Sequence, residues 1–204
     1  TDNHLKEEIL DKYPNVVLVN RKVKGNVPSV ILNDELGAEI AVEHLVSSGA
    51  KLIAGIFGPS HIDTAQRRRK GFEDACRKAK IKHQFVDMPS WGMNAGLQAA
   101  EKVLRKSPKP DAIFASTIMM GIGALRAAAR LHVSIPKDLK IVSMHDSGIA
   151  NFVTPTLSTV DMPTKEMGIQ AVDLLLRSID GEHPASVIVN TEPRLIVRES
   201  SSFN

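Results

Sequence analysis

The sequence predicts an α/β fold in which parallel sheets are flanked by helices. Short apolar runs rich in β-branched residues alternate with amphipathic segments of helical length along most of the 204 residues. This alternation is typical of strand–helix–strand units around a parallel sheet. The apolar runs are continuous, which indicates strands buried on both faces. None approaches the roughly 20 residues needed to span a bilayer, so we expect no membrane segment.

The predicted strands comprise residues 16–19, 30–32, 52–57, 112–115 and 141–144, with a shorter run at 84–86. The regular alternation stops near residue 155, and later extended runs are predicted at 155–160, 187–189 and 195–197. We interpret this change of pattern as chain that crosses between two lobes.

The predicted helices follow a 3.6-residue periodicity. In residues 35–48 the spacing places Leu36, Ile40 and Leu45 on one face, and Gly49 ends the helix. The other predicted helices comprise residues 5–13, 65–80, 94–105, 117–131 and 165–179.

The charge pattern argues against a DNA-binding module within this chain. The 26 basic residues are balanced by 23 acidic ones and are spread along the sequence, and no helix-turn-helix is evident. The single cysteine, Cys76, cannot form an internal disulfide and is predicted to be a small buried residue. The charged N-terminus has no secretory signal. Together these features predict a cytoplasmic protein.

Enzyme motifs are weak. Gly121 and Gly123 resemble half of a dinucleotide fingerprint, but Arg126 replaces the third glycine and the motif lies within a predicted helix, so we interpret it as helix packing. The sequence contains no nucleophile elbow, phosphate-binding loop or zinc spacing. We therefore predict that the chain is not an enzyme and needs no cofactor or metal.

Candidate ligand-binding residues are polar or aromatic side chains that follow predicted strands, because ligands of open α/β sheets lie beyond the carboxyl ends of the strands. Asn20 offers an amide suited to hydroxyl groups, but asparagine is equally common in turns. The full set is Asn20, Thr64, Arg68, Trp91, Thr117 and His145.

Several segments, in order, resemble the LacI/GalR family of bacterial regulators. They are Pro14–Arg21, Gly37-Ala38 with Ala41 and His44-Leu45, Gly49, Gly58-Pro59, Arg68 with Gly71-Phe72, Gly123–Leu125, Ile135–Leu139, Pro155–Val160 and Leu195–Ser201. The resemblance covers nearly the whole chain. Each segment alone is a weak signal, but their order and spacing are specific, and the closing Leu-Ile-Val-Arg-Glu-Ser-Ser is especially characteristic.

The resemblance implies a two-lobed, periplasmic-binding-protein-like type I fold with an incomplete first lobe. Residues 1–33 and 162–190 would form part of the N-terminal lobe, and residues 34–161 and 191–204 the C-terminal lobe. In this family a small effector binds in the cleft between the lobes, and the regulators act as homodimers. Operator DNA would be bound by a headpiece absent from this chain.

The resemblance also assigns roles to particular residues. Arg68 matches a ligand-contacting arginine, while we expect its neighbours Arg67 and Arg69 to lie on a solvated face. Trp91 matches an aromatic stacking position, although core packing is an alternative. Thr64 can line the same wall as Arg68 or cap its helix.

Two positions depart from the family pattern. His145 stands where an acidic residue is common, and Thr117-Ile118 stands where Asn-Asp is frequent. Because an imidazole can donate, accept and titrate near neutrality, an anionic effector becomes more plausible. The effector is therefore predicted only as a sugar or sugar-like molecule, with an anionic one left open.

The predicted function is the effector-sensing domain of a LacI-type transcription regulator. The alternative is the sugar-binding protein of an ABC transport system, which shares the fold. A sugar-processing enzyme on the same fold is a third hypothesis, and it would be distinguished by turnover.

Overall fold

The computed structural model describes residue 9 and residues 12–202. Strands and helices alternate along this part of the chain, which confirms the predicted α/β class. The elements are β1 (Leu18–Val19), β2 (Ser29–Ile31), α1 (Asp34–Ser47), β3 (Leu52–Phe57), α2 (Asp63–Lys78), β4 (Lys82–Asp87), α3 (Met93–Leu104), β5 (Ala112–Ala115), α4 (Ile118–Arg130), β6 (Lys140–Met144), β7 (Ser158–Asp161), α5 (Thr164–Ile179), β8 (Val187–Ile188) and β9 (Arg194–Ile196). The helix predicted at 5–13 falls largely outside the described residues.

The chain forms two compact units. The first contains the described residues up to 33, His61–Thr64 and Pro163–Glu192, and the second contains Asp34–Ser60, Ala65–Met162 and the residues from 193 onward. No helix in the described part of the chain has the length and apolar character needed to cross a membrane.

The first unit is built on a three-stranded parallel sheet in the order β1-β2-β8, with α5 packed against β1 and β2. The buried face of α5 carries Ala171 and Leu174, whereas Ile169, Val172 and Leu176 are more than half exposed. The apolar core of this unit is therefore small among the described residues.

The second unit is built on a six-stranded sheet in the order β4-β3-β5-β6-β7-β9. Neighbouring strands from β4 to β7 pair in parallel, but β9 pairs with β7 in the antiparallel direction. β9 is thus an antiparallel edge strand on an otherwise parallel sheet. Parallel neighbours in a sheet are usually connected by a crossover helix that packs on that sheet. β9 is not connected to β7 in this way, so it can pair in either direction.

β4 is also an edge strand, and this explains why the strand is longer than the sequence predicted. β4 pairs with β3 along all six of its residues, from Lys82 to Asp87, instead of only at 84–86. Polar Lys82 and His83 are compatible with this strand because it has a neighbour on one side only.

Three aromatic rings fix α2 against the sheet of the second unit. Phe72 of α2 lies 5.7 Å from Phe114 of β5 in a stacked arrangement, and its centroid lies 5.6 Å from that of Phe57 at the end of β3. All three rings are fully buried. Because Arg68 lies one helical turn before Phe72, on the same face, this packing also directs Arg68 towards the sheet.

Two glycines allow α3 and α4 to approach closely. A Cβ on Gly123 would lie 2.2 Å from the carbonyl oxygen of Met93, and one on Gly96 would lie 2.3 Å from that of Met120. Gly123 lies inside α4, so the structure confirms that the Gly-x-Gly sequence serves helix packing.

Cys76 is fully buried in α2, as the sequence predicted. Burial raises the pKa of its thiol to about 12. The thiolate is therefore scarce at neutral pH, and Cys76 acts as a small apolar residue.

Candidate functional site

The predicted site residues fall into two groups, one on each unit. Asn20 and Thr64 belong to the first unit, and the second unit carries Arg68, Trp91, Thr117 and His145. Within each group the structure brings the residues into contact.

Arg68 is the centre of the group on the second unit. Its Nε donates to Asp34 Oδ1 at 2.7 Å, Nη1 donates to the Ser116 carbonyl oxygen at 2.8 Å, and Nη2 lies 2.6 Å from His145 Nε2. The side chain is 4% exposed. One guanidinium thus joins α2 to the start of α1 and to the carboxyl ends of β5 and β6.

Asp34 is a site residue that the sequence reasoning missed. It is fully buried at the start of α1, and each carboxylate oxygen accepts from one arginine, Oδ1 from Arg68 and Oδ2 from Arg67. The position of Asp34 in the sequence could have indicated this role, because an acidic residue here follows a buried strand and begins a helix.

The prediction that Arg67 and Arg69 lie on a solvated face is wrong for Arg67, whereas the Arg69 side chain is 33% exposed. Arg67 Nη2 lies 2.8 Å from Asp34 Oδ2, and the Arg67 side chain is 14% exposed. The Arg69 guanidinium carbon lies 3.6 Å from the centroid of the Phe85 ring, and Nη1 contacts Asp87 at 3.0 Å. The side chains of both arginines pack against neighbouring residues, and each guanidinium forms an ion pair with an aspartate.

His145 follows β6 in the left-handed backbone region, with φ of 66°. A guanidinium can only donate hydrogen bonds, so Nε2 accepts from Arg68 and the ring proton resides on Nδ1. Burial, and secondarily the charge of Arg68, lowers the pKa of His145 to about 4. The ring is therefore neutral at pH 7.

Trp91 lies beside Arg68 and against the backbone of Gly58, the residue after β3. The guanidinium carbon of Arg68 is 5.6 Å from the centroid of the indole. A Cβ on Gly58 would lie 2.3 Å from the indole ring, so only glycine permits this position. The indole is partly buried and also packs against the core, so the stacking and packing roles predicted for Trp91 are compatible.

Thr117 connects α4 to the loop that carries Trp91. Its hydroxyl accepts from the Met120 backbone N–H at 3.2 Å as the N-cap of α4. The same hydroxyl donates to the Trp91 carbonyl oxygen at 3.3 Å. Two structural hydrogen bonds therefore occupy the side chain that the sequence placed in the ligand site.

In the first unit, the start of α2 holds the loop after β1. Thr64 Oγ1 donates to the Asn20 carbonyl oxygen at 2.5 Å, and the Lys22 backbone N–H donates to Asp63 Oδ2 at 2.9 Å. Asn20 itself has a φ of 50°, in the left-handed region that asparagine tolerates. Thr64 thus holds the backbone of Asn20.

Polar residues at the carboxyl ends of parallel strands are typical of ligand-binding α/β domains. The family model described as a periplasmic binding protein-like domain matches residues 42–201. A solved LacI family transcriptional regulator from Mycobacterium smegmatis is 34% identical, with a TM-score of 0.93 over 98% of this chain and 74% of that one. The chain therefore belongs to the LacI family of transcriptional regulators.

Other relatives also match most of the chain. The ribose operon repressor of Halalkalibacterium halodurans is 29% identical over 91% of this chain and 56% of its own length. The transcriptional regulator CelR, solved in complex with cellobiose, is 28% identical with a TM-score of 0.84, over 90% of this chain and 58% of that one. The chain spans little more than half the length of both relatives.

Proposed function

We propose that this chain is the effector-sensing domain of a LacI-type transcription regulator and that its effector is a sugar or sugar-like molecule. The main support for this proposal is the contact between Arg68 and Trp91 at the carboxyl ends of parallel strands. The Arg68 side chain is 4% exposed, and the indole of Trp91 is partly buried. The cellobiose complex of CelR and the name of the ribose operon repressor also support a sugar.

The chemistry of the two side chains suits this class of ligand. An indole offers a flat apolar face that packs on the C–H face of a sugar ring. The guanidinium offers a planar set of N–H donors for hydroxyl or carboxylate oxygens. Arg68 is held by Asp34, so the donors are ordered before the ligand arrives.

The proposed mechanism is a shift between two conformations of the regulator. An effector changes DNA binding only if its affinity differs between the two states. We propose that the regulator is a cytoplasmic homodimer without enzymatic activity, which contacts operator DNA through a part of the full-length protein not included in this chain. A transport role has less support, because the Mycobacterium smegmatis protein, the ribose operon repressor and CelR are all named as regulators or repressors.

The test is a calorimetric titration of neutral sugars, sugar acids, sugar phosphates and purines, chosen by a preceding thermal-shift screen. We expect saturable binding of one sugar-type ligand and at least a tenfold (~1.4 kcal/mol) loss of affinity in Trp91→Ala, since aromatic stacking contributes about that much. Phe152→Ala is the matched control, because Phe152 is 87% exposed in the same unit.

Phe152→Ala should bind as tightly as the unaltered protein. Binding only of purines would contradict the sugar assignment. Equal affinity in Trp91→Ala and Phe152→Ala would contradict the assigned site.

A further inference from the structure

The site residues of the second unit offer more hydrogen-bond donors than acceptors. Both carboxylate oxygens of the fully buried Asp34 accept from arginines, and the Ser116 carbonyl oxygen accepts from Arg68. The Thr117 hydroxyl accepts from a backbone N–H and donates to the Trp91 carbonyl. The acceptors closest to Arg68 are therefore engaged by the protein itself.

The donors of the same residues are only partly used. Nη1 and Nη2 of Arg68 each carry a second hydrogen, and neither has a further partner within the described residues. The Trp91 indole N–H has no partner in the described part of the chain either. Because Arg68 is 4% exposed, its remaining N–H groups have little access to water.

His145 adds another donor to this set. Its Nε2 is committed to Arg68 as an acceptor, so the N–H lies on Nδ1, which has no hydrogen-bond partner among residues 12–202. The lowered pKa keeps the ring neutral, and this tautomer therefore persists at physiological pH. An acidic residue in the place of His145 would present acceptors instead.

We propose, building on the sugar-sensing function above, that the natural effector is an oxyanion-bearing sugar derivative and that His145 determines this specificity. A carboxylate or phosphate oxygen only accepts at neutral pH, and so matches the unpaired N–H groups of Arg68, His145 and Trp91. A neutral hydroxyl brings a donor hydrogen, whereas the acceptors of Asp34, Ser116 and Thr117 are already engaged by the protein. A buried donor left without a partner costs affinity.

The experiment is calorimetry with matched ligands, namely glucose and galactose, their uronates and their phosphates. The unaltered protein should bind one acidic member more tightly than its neutral parent by about tenfold or more, the ratio that one charge-assisted hydrogen bond provides. A preference for the uronate identifies a sugar acid, and a preference for the phosphate identifies a sugar phosphate.

Two substitutions assign the preference to His145. His145→Asp exchanges the donor for acceptors beside Arg68 and should remove or invert the preference. His145→Gln keeps an acceptor for Arg68 and a donor for the ligand, and should retain it. His132→Asp is the matched control, because His132 is an exposed histidine with φ of 52° in the same unit, and it should change nothing.

The outcomes separate the two proposals. If the unaltered protein prefers a neutral sugar, the specificity proposal fails and the sugar-sensing function stands. Binding of no neutral sugar, sugar acid or sugar phosphate in the broader screen described under the proposed function contradicts both proposals. An unchanged preference in His145→Asp overturns the assignment to His145.

Discussion

Arg68 joins its own helix to three other elements of the second unit through one nearly buried guanidinium, so its substitution should cost stability as well as binding. Arg68→Ala leaves Asp34 buried with Arg67 as its remaining partner, and breaking a buried pair costs about 3 kcal/mol. Urea unfolding measures this loss. Arg77→Ala on the same helix removes a solvent-exposed ion pair and should leave the unfolding midpoint unchanged. Equal effects of the two substitutions would contradict the structural role of Arg68.

His145 should make the free energy of unfolding depend on pH. Well above pH 6.5 the ring is neutral in both the folded and the unfolded state, so it has no effect on stability there. As the pH falls towards 4, the unfolded chain takes up a proton that the folded protein does not, and stability declines by up to about 3 kcal/mol. Asp34 and Asp161 oppose this effect but are outweighed by burial and Arg68.

The measurement is urea unfolding at pH 7 and pH 5 for the protein and for His145→Gln, which cannot titrate. The unaltered protein should lose about 2 kcal/mol more than the variant between these pH values. Identical losses would show that His145 titrates normally in the folded state.

The sequence indicated which side chains lie together after the strands, but it did not indicate which residues they bind. Arg68, Trp91 and His145 follow a recognisable pattern and do meet in the second unit. Asp34 could not be assigned as the partner of Arg68, because the two residues lie 34 positions apart and only the packing of α1 beside α2 brings them together. The low pKa of His145 likewise depends on burial that no local pattern reports.

At the scale of elements, the contact between α3 and α4 should be sensitive to added volume. Gly123→Ala places a methyl group 2.2 Å from the Met93 carbonyl oxygen and should destabilise the protein by about 1–3 kcal/mol. Gly168 in α5 has open space around its Cβ position, so Gly168→Ala should stabilise by about 0.5–1 kcal/mol through helix propensity. Thermal unfolding distinguishes them, and shifts of the same sign would contradict the close approach.

Buried elements were also the easiest to predict. β3 and β5 have the predicted bounds, because a strand covered on both faces requires a continuous apolar run. Edge strands lack this requirement, so the sequence predicted β4 too short and gave no indication that β9 runs antiparallel. Pairing direction depends on the path of the whole chain.

At the scale of the whole molecule, the two units differ in the size of their cores. The buried apolar residues described in the first unit are few, and one face of α5 is exposed there. In the second unit β3, β5 and β6 are almost completely buried. Hydrogen exchange should therefore be slower in these strands than in β1, β2 and β8, on the order of a hundredfold. Uniform protection across both sheets would contradict this difference.

The proposed site for a sugar-type effector lies beside Trp91 in the second unit. Trp91 is the only tryptophan in the sequence, so tryptophan fluorescence reports on this position alone. We expect one sugar-type ligand to change the fluorescence saturably, with a midpoint equal to the calorimetric dissociation constant. A ligand that binds by calorimetry and leaves the Trp91 emission unchanged would show that the effector binds elsewhere.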